Sequence, residues 1–354
     1  MGFGLVSVGK PPLLSVAPMM DWTDRHCRFF HRLITRRAWL YTEMVTTGAL
    51  LHGDVARHLD HDPFEHPLAL QIGGSEPADL AKAAQLGQRW GYQEINLNCG
   101  CPSERVQRGA FGACLMAEPT LVAEGVKAMC DSVDLPISVK HRIGLDRDEG
   151  TDMLTDFVGQ VHEAGCRLFI VHARNAWLQG LSPKQNREVP PLRYGVVHQL
   201  KKDFPNARFV LNGGLQNLAD IERHAADLDG GMVGRSAYHN PWILSRWDDW
   251  LIQRENTGMA SVKGEGASMA GTAILDRDAV ELSMVEYMTD PKRSAGAHWY
   301  SIARHILGLR HGMPGARLWR QVWSDHRLKH LDARQVHLLA QQALHRHGNP
   351  SHAF

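Results

Sequence analysis

Short runs of apolar and β-branched residues alternate with longer segments of helical spacing through the first two thirds of the chain. The runs are LLSVAPM (13–19), WLYTEM (39–44), PLALQIGG (67–74), YQEINLN (92–98), PISVKHRIG (136–144), RLFIVHAR (167–174), ARFVLNGG (207–214) and GGMVGRS (230–236). Between them lie helical patterns such as PADLAKAAQLGQRW (77–90), with Pro77 at its start and Gly91 after its end, a helix boundary signal. Parallel strands need helical crossovers, and eight of them close on themselves. The pattern therefore predicts an α/β fold, a (β/α)8 TIM barrel, over residues 11–250.

Beyond the barrel the pattern changes. NTGMASVKGEGASMAGT (256–272) is small, polar and Gly-rich, the composition of a linker or surface insertion. Helical segments follow near 276–289, 295–309, 314–328 and 332–346, with Gly312, Pro314 and Gly315 breaking the middle pair. The expected organisation is a barrel domain over 1–255, a linker over 256–273 and a small C-terminal helical bundle over 274–354.

A chain of 354 residues that is 44% hydrophobic and 22% charged can bury a large core. It has no apolar run of about 18 residues. Its start lacks a charged n-region with a signal-type h-region, and Val6 breaks the myristoylation pattern. A cytoplasmic protein with no membrane partner is expected. The six cysteines, at 27, 99, 101, 114, 130 and 166, form no CxxC pair, so reduced thiols are a better reading than a metal site or a disulfide framework. No obligate protein partner is implied.

The net charge of +1 conceals an asymmetry. From Lys292 onward ten Lys or Arg face Asp325 and Asp332 alone, a balance of +8, which leaves −7 on the rest of the chain. Such a tail meets a polyanion or forms a solvated helical face.

In a barrel of this type the C-terminal strand ends carry the chemistry. Read in order they are Pro18-Met19-Met20, Glu43, Gln71, Asn98 with Cys101, Lys140 with Arg142, His172 with Arg174, Asn212-Gly213-Gly214, and Gly234-Arg235. The last two suit a phosphate: glycines admit backbone amides close to an anion, and Arg235 adds a guanidinium one βα unit later. Gln71, Lys140 and His172 suit the wall around a planar cofactor, since a lysine beside the pyrimidine edge of a flavin stabilises the reduced ring. Taken singly, the NGG is a tight turn, Lys140 a salt-bridge partner and His172 a core histidine.

At these residues the chain resembles a known family. APMMDWTDRHCR, QIGG, NLNCGCPSERVQRGAFGACLM, SVKHRIG, VHAR, LNGG and VGRSAYHNPW are similar to the tRNA-dihydrouridine synthases from about residue 13 to residue 325. GLSPKQNREVPPLRY and RHILGLRHGMPGARLWR resemble the bacterial A-type branch. The resemblance implies an FMN-containing barrel with a helical tRNA-binding domain and NADPH as reductant. Its implied substrates are tRNA D-loop uridines at positions 20 and 20a. The cofactor residues would be Pro18, Met19, Met20, Gln71, Lys140, His172, Asn212, Gly213, Gly214, Gly234 and Arg235. The linker at 256–272 is longer than the family's pattern.

Reducing the C5=C6 bond of uracil needs a hydride at C6 and a proton at C5, and the flavin supplies only the hydride. Cys101 matches the family's loop cysteine, and a thiol of pKa about 8.5 is mostly protonated at neutral pH. It is the expected general acid, against the plain reading of an inert thiol, while Cys99 is expected to pack. Asn98 would hold the uracil or flavin edge, and Gly109 and Gly112 would let the loop close. Lys184, Arg187, Ser301 and Arg304, with Arg310, Arg317 and Arg320, are the expected tRNA contacts, at the elbow as well as the D-loop. A dihydroorotate-dehydrogenase-like barrel acting on a free pyrimidine would share the lysine and the phosphate grip but has no use for a basic helical extension. A non-catalytic RNA-binding protein has no use for the strand-end set.

Overall fold

The computed structural model describes residues 13–103, 106, 109–259 and 275–345. Nine parallel strands form one sheet: β1 (Leu13–Val16), β2 (Leu40–Tyr41), β3 (Val45–Thr46), β4 (Leu68–Gly73), β5 (Glu94–Cys99), β6 (Ile137–Arg142), β7 (Leu168–His172), β8 (Arg208–Asn212) and β9 (Gly230–Val233). The order is β1-β9-β8-β7-β6-β5-β4-β2, with β3 also on β4. Val16 N donates to Trp39 O at 3.0 Å and Trp39 N to Leu14 O at 2.9 Å, so β1 meets β2 and the barrel closes.

The predicted second strand is split. Tyr41 pairs with Ala69 and Val45 with Ile72, so Thr42, Glu43 and Met44 span the place of two residues on β4, a bulge. It brings the Glu43 carboxylate round to accept from Asp21 N. The first and last strands end at Val16 and Val233, short of the predicted 19 and 236, because the chain leaves the ladder where it turns into mouth loops.

Side chains alternate along each strand. Ile95, Leu97 and Cys99 of β5, Phe169 and Val171 of β7, and Phe209 and Leu211 of β8 face outward into the main core under the helices. Tyr41, Ala69, Ile170, Val210 and Met232 form a smaller core inside the barrel. Cys99 is buried, as expected. The interior is therefore filled from below, and polar strand-end residues sit above that filling.

The helix Pro77–Arg89 forms where expected. The helix Trp247–Met259 runs four residues into the predicted linker, the rest of which lies outside the described residues. Beyond it come Arg277–Thr289 and Ala333–His345, close to prediction, and two segments that break into shorter pieces: Trp299–Ile302 with a 3-10 turn, and Ala316–Trp323 with another. Gly315, with φ 75°, marks one break. This helical unit docks on the barrel's first helix, Arg25–Ile34: Tyr287 stacks on Phe29 with centroids 4.1 Å apart, and Asp24 binds Arg304 and His305. No helix among the described residues is long and apolar enough to cross a membrane.

Candidate active site

Period-two alternation that sends Ile137 and Val139 outward sends Ser138, Lys140 and Arg142 inward, and the same rule puts His172 and Asn212 at the mouth. Lys140 Nζ donates to Asn212 Oδ1 at 3.0 Å, and Asn212 Nδ2 donates to Met232 O at 2.8 Å. Gly213 has φ 106°, and a Cβ there would stand 2.5 Å from the His172 ring, so only glycine lets the turn and the imidazole approach so closely. Gln71, Lys140, His172, Asn212 and Gly213 thus share one mouth, with Gly214 in the same turn. Pro18 and Met19 lie half-buried where β1 ends, and Met20 is 57% exposed.

Gly234 precedes a helix of only five residues, Arg235–His239, and Arg235 is tied to Glu188.

The mouth is dense in cations. Burial, then Arg142, pushes Lys140 down to about 7, opposed by the Cys101 sulfur and not by a carboxylate. Burial likewise takes Arg142 down to about 9, again opposed by Cys101. His172 is driven well below its ordinary value by burial, Arg142 and Lys140. Arg174 Nε is buried with no hydrogen-bond partner. Mutually opposed cations and an orphaned guanidinium donor beside a glycine turn fit an anionic ligand, as the phosphate and, once reduced, the ring of a flavin nucleotide would be.

Cys101 follows β5 in a loop held from both sides. Gly100 N and Cys101 N donate to Asn98 Oδ1 at 3.1 and 3.0 Å, and Ala113 N donates to Cys101 O at 2.9 Å. Gly112, with φ 81°, makes this possible: a Cβ there would lie 2.6 Å from Cys101 O. The half-buried Cys101 Sγ reaches Ser103 Oγ at 3.6 Å. The loop's basic residues Arg105 and Arg108 lie outside the described residues.

Of the expected tRNA contacts, Lys184 and Arg187 are exposed on a loop that Asn186 pins down. Asn186 exchanges two hydrogen bonds of 2.8 Å with the Trp177 backbone, and its carbonyl accepts from Arg142 Nη1 at 3.0 Å. Arg187 also senses Cys101, which ties this loop electrostatically to the thiol. Ser301 is exposed and donates to His298 O at 2.7 Å, while Arg304 Nη2 donates to Asp24 Oδ2 at 2.6 Å. Arg317 and Arg320 are exposed. Arg310 is not a surface cation: it is 3% exposed and paired with the buried Glu281 and with Asp278. Helical spacing alone could not tell its buried direction from an exposed one.

Sequence reasoning passed over Asn96, Ser138 and Glu94, which line the interior below Gln71, and Asn186. The alternation Glu94-Ile95-Asn96-Leu97-Asn98 was the available signal, since polar residues at every second position of a buried strand must meet one another across the barrel.

The family model described as Dihydrouridine synthase (Dus) matches residues 15–345. A protein of Pseudomonas putida named tRNA-dihydrouridine(20/20a) synthase is 54% identical over 310 residues, covering 88% of this chain and 87% of its own. Proteins of the same name from Xanthomonas axonopodis pv. citri and Shewanella oneidensis are 51% and 49% identical, covering 88% and 93% of this chain and the same shares of their own. Among solved structures, a 2-naphthoyl-CoA reductase in complex with 2-naphthoyl-CoA matches with a TM-score of 0.52 at 12% identity, covering 67% of this chain and 50% of the other. That likeness speaks to the barrel fold alone.

Proposed function

Because this chain belongs to the dihydrouridine synthase family, we infer that each part of the site serves one reaction, reduction of the C5=C6 bond of tRNA D-loop uridines to 5,6-dihydrouridine. The protein is a flavin-dependent oxidoreductase that uses FMN and NADPH and acts on tRNA. We assign positions 20 and 20a as its targets, in keeping with the relatives' names. The reaction takes place in the cytoplasm on this reading, where tRNA and NADPH are both present.

Bound FMN supplies the hydride to C6. Lys140, His172, Gln71 and Asn212 would hold its ring, with Lys140 opposing negative charge at the pyrimidine edge. Gly213, Gly214, Gly234 and Arg235 would hold its phosphate, and Pro18, Met19 and Met20 would pack along it. Cys101 donates the proton from Sγ to C5, with Lys140, Arg142 and Arg187 as its charged neighbours. Asn98 keeps one Nδ2 hydrogen for the base while its Oδ1 holds the loop.

The uridine must leave its stack to reach this mouth, so binding energy elsewhere has to offset the unstacking. Lys184, Arg187, Ser301 and Arg304 are proposed to supply it, with residues 1–255 as the catalytic domain, 256–273 as the connection and 274–354 as the tRNA-binding domain. The observation that carries the acid assignment is Cys101 in a loop clamped by Asn98 and Gly112 amid three cations. Replacing Cys101 by Ala should leave reduction of the flavin by NADPH within about threefold and slow its oxidation by tRNA by roughly a hundredfold or more. Equal oxidation rates in the variant and the parent would remove Cys101 from the chemistry.

A further inference from the structure

Below the mouth the barrel encloses polar side chains that the chemistry above does not employ, Glu94, Ser138 and Asn96, joined in one column to Gln71 and Asn98, which it does. At its foot Glu94, 3% exposed at the start of β5, accepts through Oε1 from Tyr41 OH at 2.9 Å and from Ser138 Oγ at 2.5 Å. Ser138 Oγ accepts from Asn96 Nδ2 at 2.7 Å, and Asn96 Oδ1 from Gln71 Nε2 at 2.7 Å. Gln71 Oε1 accepts from Asn98 Nδ2 at 2.9 Å. The column ends where Asn98 Oδ1 receives the N–H groups of Gly100 and Cys101.

Every donor in this series points toward Glu94. Each amide has one donating and one accepting end, so the members cannot be turned independently. Reversing the series would set the Asn98 NH2 group against two backbone N–H groups. Two half-buried donors would then lose their acceptors, at up to about 1–3 kcal/mol each. The two backbone N–H groups therefore set the direction at the top, and the series is complete only if the group at the foot accepts from Ser138.

We infer that Glu94 is a positioning residue: as the terminal acceptor of this column it holds Gln71 and Asn98 in one orientation and thereby fixes the Cys101 loop for proton donation. The groups facing it are Tyr41 from β2, Ser138 from β6 and, at longer range, Arg208 from β8. Burial pushes the carboxyl up to about 7 against the pull of Ser138 and Tyr41. The carbonyl oxygen of the neutral acid accepts as the carboxylate does, so the column keeps its direction in both states.

The inference rests on the reading of Cys101 as the acid, and amide exchange tests it apart from that reading. In the full-length protein loaded with FMN, Glu94→Met removes the acceptor at similar volume, and Glu94→Gln retains a carbonyl. Exchange of the Gly100 and Cys101 amides should quicken roughly tenfold in the Met variant, as expected for loss of about one hydrogen bond, and stay near the parent rate in the Gln variant. Oxidation of the reduced flavin by tRNA should slow by about tenfold or more in the Met variant while reduction by NADPH and tRNA affinity hold, with Gln recovering most of the loss. If Met leaves exchange and oxidation unchanged, or if Gln is as impaired as Met, the inference is overturned. Should the Met variant not fold, Ser138→Ala cuts the column one link higher and is expected to give the same faster exchange; unchanged exchange there overturns it equally. Full activity of Cys101→Ala together with freed loop amides in Glu94→Met would displace the acid and leave the column standing.

Discussion

A lysine set among arginines at a barrel mouth loses its charge at a lower pH than a free lysine unless an anion joins it. Burial and then Arg142 push Lys140 down to about 7 from its ordinary 10.5. The FMN phosphate is an anion and a ring carbonyl accepts a hydrogen bond from an ammonium, so both favour the charged form and binding takes up a proton above pH 7. The sign follows: FMN affinity is highest where Lys140 is already charged and weakens as pH rises through 7, by up to about tenfold per pH unit for one proton. Above pH 7 the phosphate is already dianionic and contributes little slope of its own. Fluorescence titration of FMN into the flavin-free protein between pH 7 and 8.5 should show this slope, and Lys140→Met should abolish it. A flat profile in the parent would place Lys140 outside the flavin site.

At the scale of elements, the strands and their ends were legible because period-two alternation and the Gly and Pro boundaries are local properties of the chain. The Cys-Pro-Ser loop was legible for the same reason. What stayed hidden depends on register between elements: the bulge at Thr42–Met44, the column beneath Gln71, and the inward turn of Arg310. The last belongs to a buried hub. Glu281 accepts from Trp319 Nε1 at 2.9 Å, Trp323 Nε1 at 3.2 Å, His337 Nδ1 at 2.9 Å, Arg310 Nη2 at 2.7 Å and Gln341 Nε2 at 3.1 Å, so its own helix is joined to Ala316–Trp323, to Ala333–His345 and to the turn that carries Arg310. Burial alone would raise this carboxyl, but the hydrogen bonds from His337, Arg310 and Trp319 outweigh it and hold the group below its ordinary 4.5. A carboxyl depressed on folding contributes stability that is present above pH 4.5 and is lost as pH falls through its folded value. Glu281→Gln leaves Arg310 paired with Asp278 but takes away its buried carboxylate, and should destabilise the unit by about 1.5–3 kcal/mol at pH 7. Near-UV circular dichroism of the tryptophans during thermal unfolding reads both effects, and the variant should lose part of the acid-side slope. A variant as stable as the parent at pH 7 would show that the hub is not what joins these helices.

Over the whole molecule, the charge asymmetry was visible in composition, but its disposition was not. Arg310 is consumed inside the helical unit, Arg304 links it to Asp24 of the barrel, and Arg293 reaches Asp62 at 3.1 Å. Part of the basic excess therefore joins the two units, while Lys184, Arg187, Arg317 and Arg320 are exposed. On the function proposed above, barrel and helical unit together deliver a tRNA uridine to one flavin and one thiol. The most direct test of that function is a single turnover: protein loaded with FMN is reduced by NADPH and mixed without oxygen with unmodified tRNA, free uridine monophosphate or orotate. Oxidation of the flavin should occur with tRNA alone, weaken as salt rises, and yield dihydrouridine at positions 20 and 20a in step with the flavin oxidised. Oxidation by a free pyrimidine as fast as by tRNA, or oxidation by tRNA without dihydrouridine, would contradict it.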